Sequence, residues 1–122
     1  MAKLKNVRQG ASTYDPMDKE TIQYKSWERY CALVIKLKTY GMSQGTISKW
    51  LVGKDNANMR TTISRKIRGR DKVSSALVTV TDVVHLEMLL LLAENGFNMC
   101  TPEFSECGEL TFLDVISEEK GD

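Results

Sequence analysis

From residue 82 to residue 95 the chain is almost entirely apolar: Val83, Val84, Leu86, Met88, Leu89, Leu90, Leu91, Leu92 and Ala93 follow one another with few breaks. Such a stretch is long enough for a helix of four turns, and a helix that is apolar on most sides is expected to be buried on most sides. It therefore reads as the centre of a core, or as part of a core combined with a subunit contact. Its longest uninterrupted apolar run, residues 88–93, falls far short of the roughly 20 residues that a membrane span needs. Asn95 and Gly96 stop it.

The remaining segments are arranged to enclose that helix. A chain of 122 residues predicts one compact domain with a loose arm, and 42% apolar content supplies a modest core. Asp15 and Pro16 look like a helix start, because Asp can cap free N–H groups and Pro loses nothing at the first helical position. Trp27, Tyr30, Cys31, Val34 and Leu37 then form one apolar stripe, which predicts a first helix over residues 16–40 ending near Gly41. Ser43 caps a short second helix whose buried edge is Ile47, Trp50 and Leu51. Gly53, Lys54, Asp55 and Asn56 mark a turn. Met59, Ile63 and Ile67 give a third helix over 57–68 one inner face, and Gly69 ends it. Residues 76–80 have strand character that competes with a helix start at Thr79 or Thr81. Beyond Gly96, two β-prone runs, 97–104 and 109–116, surround Ser105, Glu106, Cys107 and Gly108 and predict a hairpin, its first strand shortened by Pro102. The expected fold class is mainly α: a helix-turn-helix bundle of four to five helices with a small C-terminal β-hairpin. The expected organisation is a basic arm over 1–14, a helical domain over 15–96, and a hairpin with an acidic tail over 97–122.

Charge separates the chain into two parts. Residues 1–72 carry 16 of the 17 Lys and Arg against 6 acids, a balance of +10; residues 73–122 carry one Lys against 10 acids, a balance of −9. Cations gathered in this way point to a polyanion, most commonly nucleic acid. They concentrate around the third helix: Lys49, Lys54, Arg60, Arg65, Lys66, Arg68, Arg70 and Lys72 oppose only Asp55 and Asp71 in residues 49–72. Reading a duplex requires a rigid pair of helices that presents one of them to the major groove. It also requires Lys and Arg for phosphates, and Arg, Gln, Ser or Thr for base edges. The simpler alternative is a solvated basic helix in an ordinary bundle.

The stretch GMSQGTISKWLVGKDNANMRTTISRKIRGRDKV, within residues 24–96, resembles the helix-turn-helix domains of the lambda repressor and Cro family of phage and plasmid regulators. Two registers fit that resemblance. In one, residues 43–52 are the scaffold helix and 58–68 the recognition helix, with the family's Ser/Thr-rich helix and Arg-Gly-Arg turn falling on TTISRKIRGRDK. In the other, SQGTISKWLVGK is itself the recognition helix. The greater positive charge on the third helix, and the apolar helix that follows it, favour the first. The turn between the helices is longer than the family's usual three or four residues, and Gly45 stands inside the scaffold helix. In the favoured register Arg60, Thr61, Ser64, Arg65 and Arg68 face DNA, with Arg60 and Thr61 deepest in the groove and Arg65 and Arg68 on phosphates. Lys49, Lys54, Arg70 and Lys72 flank them, and Ser43 and Gln44 offer a helix N-terminus to a phosphate. The resemblance also implies a homodimer, with Leu110, Phe112 and Val115 pairing across a two-fold axis; packing of the hairpin on its own domain is the alternative.

Little suggests catalysis. His85 is the only histidine and lies in the most apolar segment. Cys100 and Cys107 lack a second pair, so no zinc site is expected, and no phosphate-binding Gly-rich loop occurs. No cofactor is expected. An odd number of cysteines, Cys31, Cys100 and Cys107, together with no apolar segment behind Lys3, Lys5 and Arg8, predicts a cytoplasmic protein with reduced thiols. The expectation is a sequence-specific DNA-binding transcriptional regulator of phage or plasmid type, with double-stranded DNA as partner. The competing one is a small interaction module, such as a phage-type inhibitor or DNA mimic, whose acidic half binds a host transcription protein.

Overall fold

The computed structural model describes residues 20–69 and 77–116. They form four helices and one small hairpin: α1 (Ile22–Lys38), α2 (Gln44–Val52), α3 (Ala57–Ile67), α4 (Val80–Glu94), β1 (Glu103–Phe104) and β2 (Leu110–Phe112). The expected mainly helical class is the one observed. The basic arm, the Asp15–Pro16 start, Arg70, Lys72 and the acidic tail lie outside the described residues.

Each helix begins where a short polar side chain can accept a backbone N–H that the helix itself leaves unpaired. Thr21 accepts from the Tyr24 N–H at 3.0 Å, so the helix that carries Trp27 begins at Ile22 rather than in the region of Pro16. Ser43 accepts from Thr46 at 3.1 Å and Asn56 from Met59 at 3.0 Å. At Thr79 the choice between strand and helix is decided by a reciprocal cap. The Asp82 N–H donates to Thr79 Oγ1 at 3.1 Å, and the Thr79 N–H donates back to Asp82 Oδ2 at 2.9 Å. Gly53 closes α2 in the left-handed region (φ 87°), where a side chain would be strained.

The core is a single cluster. α1 contributes Tyr30, Leu33, Val34 and Leu37; Ile47 of α2 and Ile63 of α3 enter it; α4 contributes Leu86, Leu89, Leu90 and Ala93. α1 lies along α4, while α3 packs on both α2 and α1. Trp27 and Cys31 of the expected α1 stripe, and Trp50 and Leu51 of α2, are only half-buried. Met42, Met99 and Pro102, which show no periodicity, are fully enclosed.

α4 corrects the expectation that its length is buried on most sides. Val80, Val84, Met88 and Leu91 remain 57%, 48%, 57% and 60% exposed and fall along one stripe of the helix. Only the face of Leu86, Leu89, Leu90 and Ala93 is enclosed. The hairpin is antiparallel, pairing Glu103 with Phe112 and Phe104 with Leu110 across an irregular register, and an isolated bridge joins Phe97 to Val115. Its strands are much shorter than the β-prone runs, as Pro102 suggested. It is anchored through Trp50, whose Nε1–H donates to the Met99 carbonyl at 2.9 Å and whose ring meets Phe104 edge-on with centroids 5.5 Å apart.

Candidate nucleic-acid interface

α2 and α3 are joined by residues 53–56, four in all, so the turn is not longer than the usual three or four. Ser48 fixes its shape. That side chain is fully buried; its hydroxyl donates to the Lys54 carbonyl at 2.9 Å and accepts from the Asn56 N–H at 3.0 Å. A buried hydroxyl satisfied on both sides holds two turn groups that would otherwise lack partners.

The far end of α3 is held from α1. The Trp27 Nε1–H donates to the Ile67 carbonyl at 3.0 Å, and the Cys31 thiol approaches the same oxygen at 3.7 Å. A Cβ on Gly69 would stand 2.6 Å from Trp27 Cδ1, so glycine is needed for this close approach. With Ile63 fully buried and Met59 and Ile67 partly so, α3 is fixed at both ends and along one edge. Ala57, Asn58, Arg60, Thr61 and Arg65 of α3, with Arg68 just past its end, are exposed. Within α2 only Val52 is comparably exposed.

Ser43, Gln44, Gly45, Asp55, Ala57, Arg60, Thr61 and Ser64 line an open groove of about 570 Å³ between the N-terminal ends of the two helices. Five of the expected site residues therefore come together. Two of them are already engaged with each other: the half-buried Ser64 hydroxyl donates to Gln44 Oε1 at 2.9 Å. Arg60 Nε pairs with Asp55 Oδ1 at 2.7 Å. Arg65 and Arg68 make no ion pair among the described residues.

Other cations of the expected set lie elsewhere. Lys49 is half-buried in the last turn of α2 and does not line the groove. Lys54 borders a separate hollow with Trp50, Phe104 and the hairpin turn. Lys66 turns inward, and its ammonium meets Asp82 Oδ2 at 2.7 Å with side chains 18% and 21% exposed. Burial would raise the Asp82 carboxyl, but hydrogen bonds from Lys66 and the Thr79 N–H outweigh it and hold the group below the usual carboxylate range. His85 is exposed beside this pair on the rim of a cleft lined by Tyr30, Met59 and Leu86. Among the described residues no group of three or more His, Cys, Asp or Glu side chains is placed to hold a metal ion.

Asp55, Gly45 and Ser48 are given no site role by the sequence alone. Asp55 had a legible signal, being the only acid between Glu28 and Asp71. Comparison with family models, with curated proteins and with solved structures finds no match. Among the described residues no helix is long and apolar enough to cross a membrane.

Proposed function

We propose that this chain is a sequence-specific DNA-binding transcriptional regulator of phage or plasmid type, which reads a half-site with α3 and acts as a homodimer. The observation that carries the reading is the outward face of α3. Arg60, Thr61, Arg65 and Arg68 stand exposed on a short rod braced at both ends, beside a groove that also presents Ser43 and Gln44. Exposure supports α3 over α2 as the recognition helix. In this role Arg60 and Thr61 approach base edges while Arg65 and Arg68, which make no ion pair among the described residues, meet phosphates.

A second copy of the chain is the partner that suits the exposed stripe of α4. Val84 and Leu91 stand seven residues apart, with Val80 and Met88 on the same stripe and the exposed Leu77 just before the helix. Beside the stripe, Glu87 is paired with Arg29 at 2.6 Å. Leu110, Phe112 and Val115 are also exposed and provide further apolar surface for the same purpose.

Selection of bound duplexes from a random library tests the reading. A palindromic motif is expected, with affinity falling steeply as salt rises. No retention of any duplex at low salt rejects it. One observation favours an interaction module instead: Glu103, Glu106, Glu109 and Asp114 are exposed and make no ion pair among the described residues. A host transcription protein bound stoichiometrically through those acids, in the absence of DNA retention, would establish that alternative.

A further inference from the structure

The groove beside α3 contains one residue that a phosphate-binding surface has no use for. Asp55 is the only acid in residues 29–70, yet its carboxylate lies among the cations with its side chain 58% exposed. Two independent features of the chain accommodate it there. A Cβ at position 45 would stand 2.7 Å from Asp55 Oδ2 and 3.0 Å from Oδ1, so Gly45 leaves space for the carboxylate over the first turn of α2. The positive end of that helix favours a negative group at this place. Arg60 Nε then closes on Oδ1 at 2.7 Å.

An exposed ion pair of this kind contributes little to stability. The carboxylate also weakens the attraction of the whole surface for phosphate, so general duplex affinity does not account for it. Its geometric consequence is more specific. A guanidinium is a planar fork with fixed donor directions. With its Nε edge held against the carboxylate, the guanidinium is restricted in where it can swing, and its terminal nitrogens can be presented together to a base. Such a pair matches the two acceptors, O6 and N7, that guanine shows in the major groove. Arg65 and Arg68, with no such partner among the described residues, are left to follow phosphates.

We propose that Asp55 is a positioning residue that holds Arg60 as the guanine-reading side chain of the groove and disfavours unselective binding. The inference rests on the proposed DNA-binding function and adds to it the assignment of one base contact and its support.

The test compares wild-type protein with Asp55→Ala, Asp55→Asn, Arg60→Ala and the Asp55→Ala/Arg60→Ala double variant, at fixed salt. Each is titrated onto the selected duplex, onto versions with single G·C pairs replaced, and onto an unrelated duplex. Arg60→Ala is expected to reduce the preference at one G·C pair by about tenfold or more. Asp55→Ala should reduce preference at the same pair while binding the unrelated duplex several-fold more tightly, and the double variant should lose no more preference than Arg60→Ala alone. Asp55→Asn keeps the same shape and an oxygen beside Nε but not the charge, so it should restore the preference while keeping the tighter unselective binding. The proposal is overturned if Asp55→Ala leaves the preference intact or alters a different pair, or if Asn behaves as Ala does. Wild-type protein that binds duplexes with no base preference overturns the inference and leaves DNA binding standing; wild-type protein that binds no duplex overturns both.

Discussion

α3 and α4 each present one enclosed edge to the same core, through Ile63 and Leu86, both fully buried. They differ in what they turn outward. α3 shows Arg60, Thr61 and Arg65 to solvent, with Arg68 at its end, whereas α4 shows Val80, Val84, Met88 and Leu91. The inner edges determine where each helix lies, and the outer ones determine what it can meet: a polyanion in one case, another apolar surface in the other. Stability is carried by the inner faces and, in the proposed function, recognition by the outer ones, so the two should be separable by substitution.

The largest stability effects are expected on the inner edges, and they should be alike. Ile63→Ala and Leu86→Ala each remove a fully enclosed side chain and should cost about 2–5 kcal/mol in denaturant unfolding. A loss below 1 kcal/mol at either site would break the equivalence of the two edges.

Next is the charged link between α3 and α4, Lys66 to Asp82. Asp82→Asn should cost about 1–3 kcal/mol at neutral pH, since it leaves a largely buried ammonium without its charged partner. The sign of the pH effect follows from the lowered Asp82 carboxyl. Its contribution is complete above the ordinary aspartate value of about 4 and is lost as pH falls through the lower value of the folded state. Thermal melts should therefore show acid loss of stability below about pH 4, and a smaller loss in Asp82→Asn. Equal acid sensitivity in both proteins would remove this pair from the account.

The smallest stability effects, within about 0.5 kcal/mol, are expected on the outer faces. Arg65→Ala with Arg68→Ala should leave the melting temperature within a few degrees while abolishing duplex retention. Leu91→Glu should also leave the fold intact, but it should shift sedimentation from dimer to monomer and weaken duplex binding only through loss of the second half-site. If Leu91→Glu lowered stability as much as Leu86→Ala, the exposed stripe would belong to the core and the contrast between the helices would fail.

Most of α2, α3 and their turn is legible in the chain because several local signals agree there. Ser43 and Asn56 can cap, Gly53 can take a left-handed conformation, and Met59, Ile63 and Ile67 recur at helical spacing. The start of α1 was less legible, because Thr21 offers a competent cap within the segment that its stripe alone would make continuous. α4 was less legible still: where nearly every position is apolar, periodicity carries no information about which side is enclosed. In the groove, Arg60 and Thr61 were readable as exposed polar positions, but the bonds from Arg60 to Asp55 and from Ser64 to Gln44 were not. The first depends on a side chain folding back across a turn, and the second spans twenty residues.

The amino-acid order alone settled the helical class, the cap at Ser43, and the gathering of cations on one short segment, because hydrogen-bonding capacity, helical spacing and charge are local properties. Packing decided which flank of α4 is left open, which lysine is drawn inward to an aspartate, and that a single acid stands against Arg60. Those outcomes depend on distances between segments far apart along the backbone, which take definite values only once the helices have closed on a common interior.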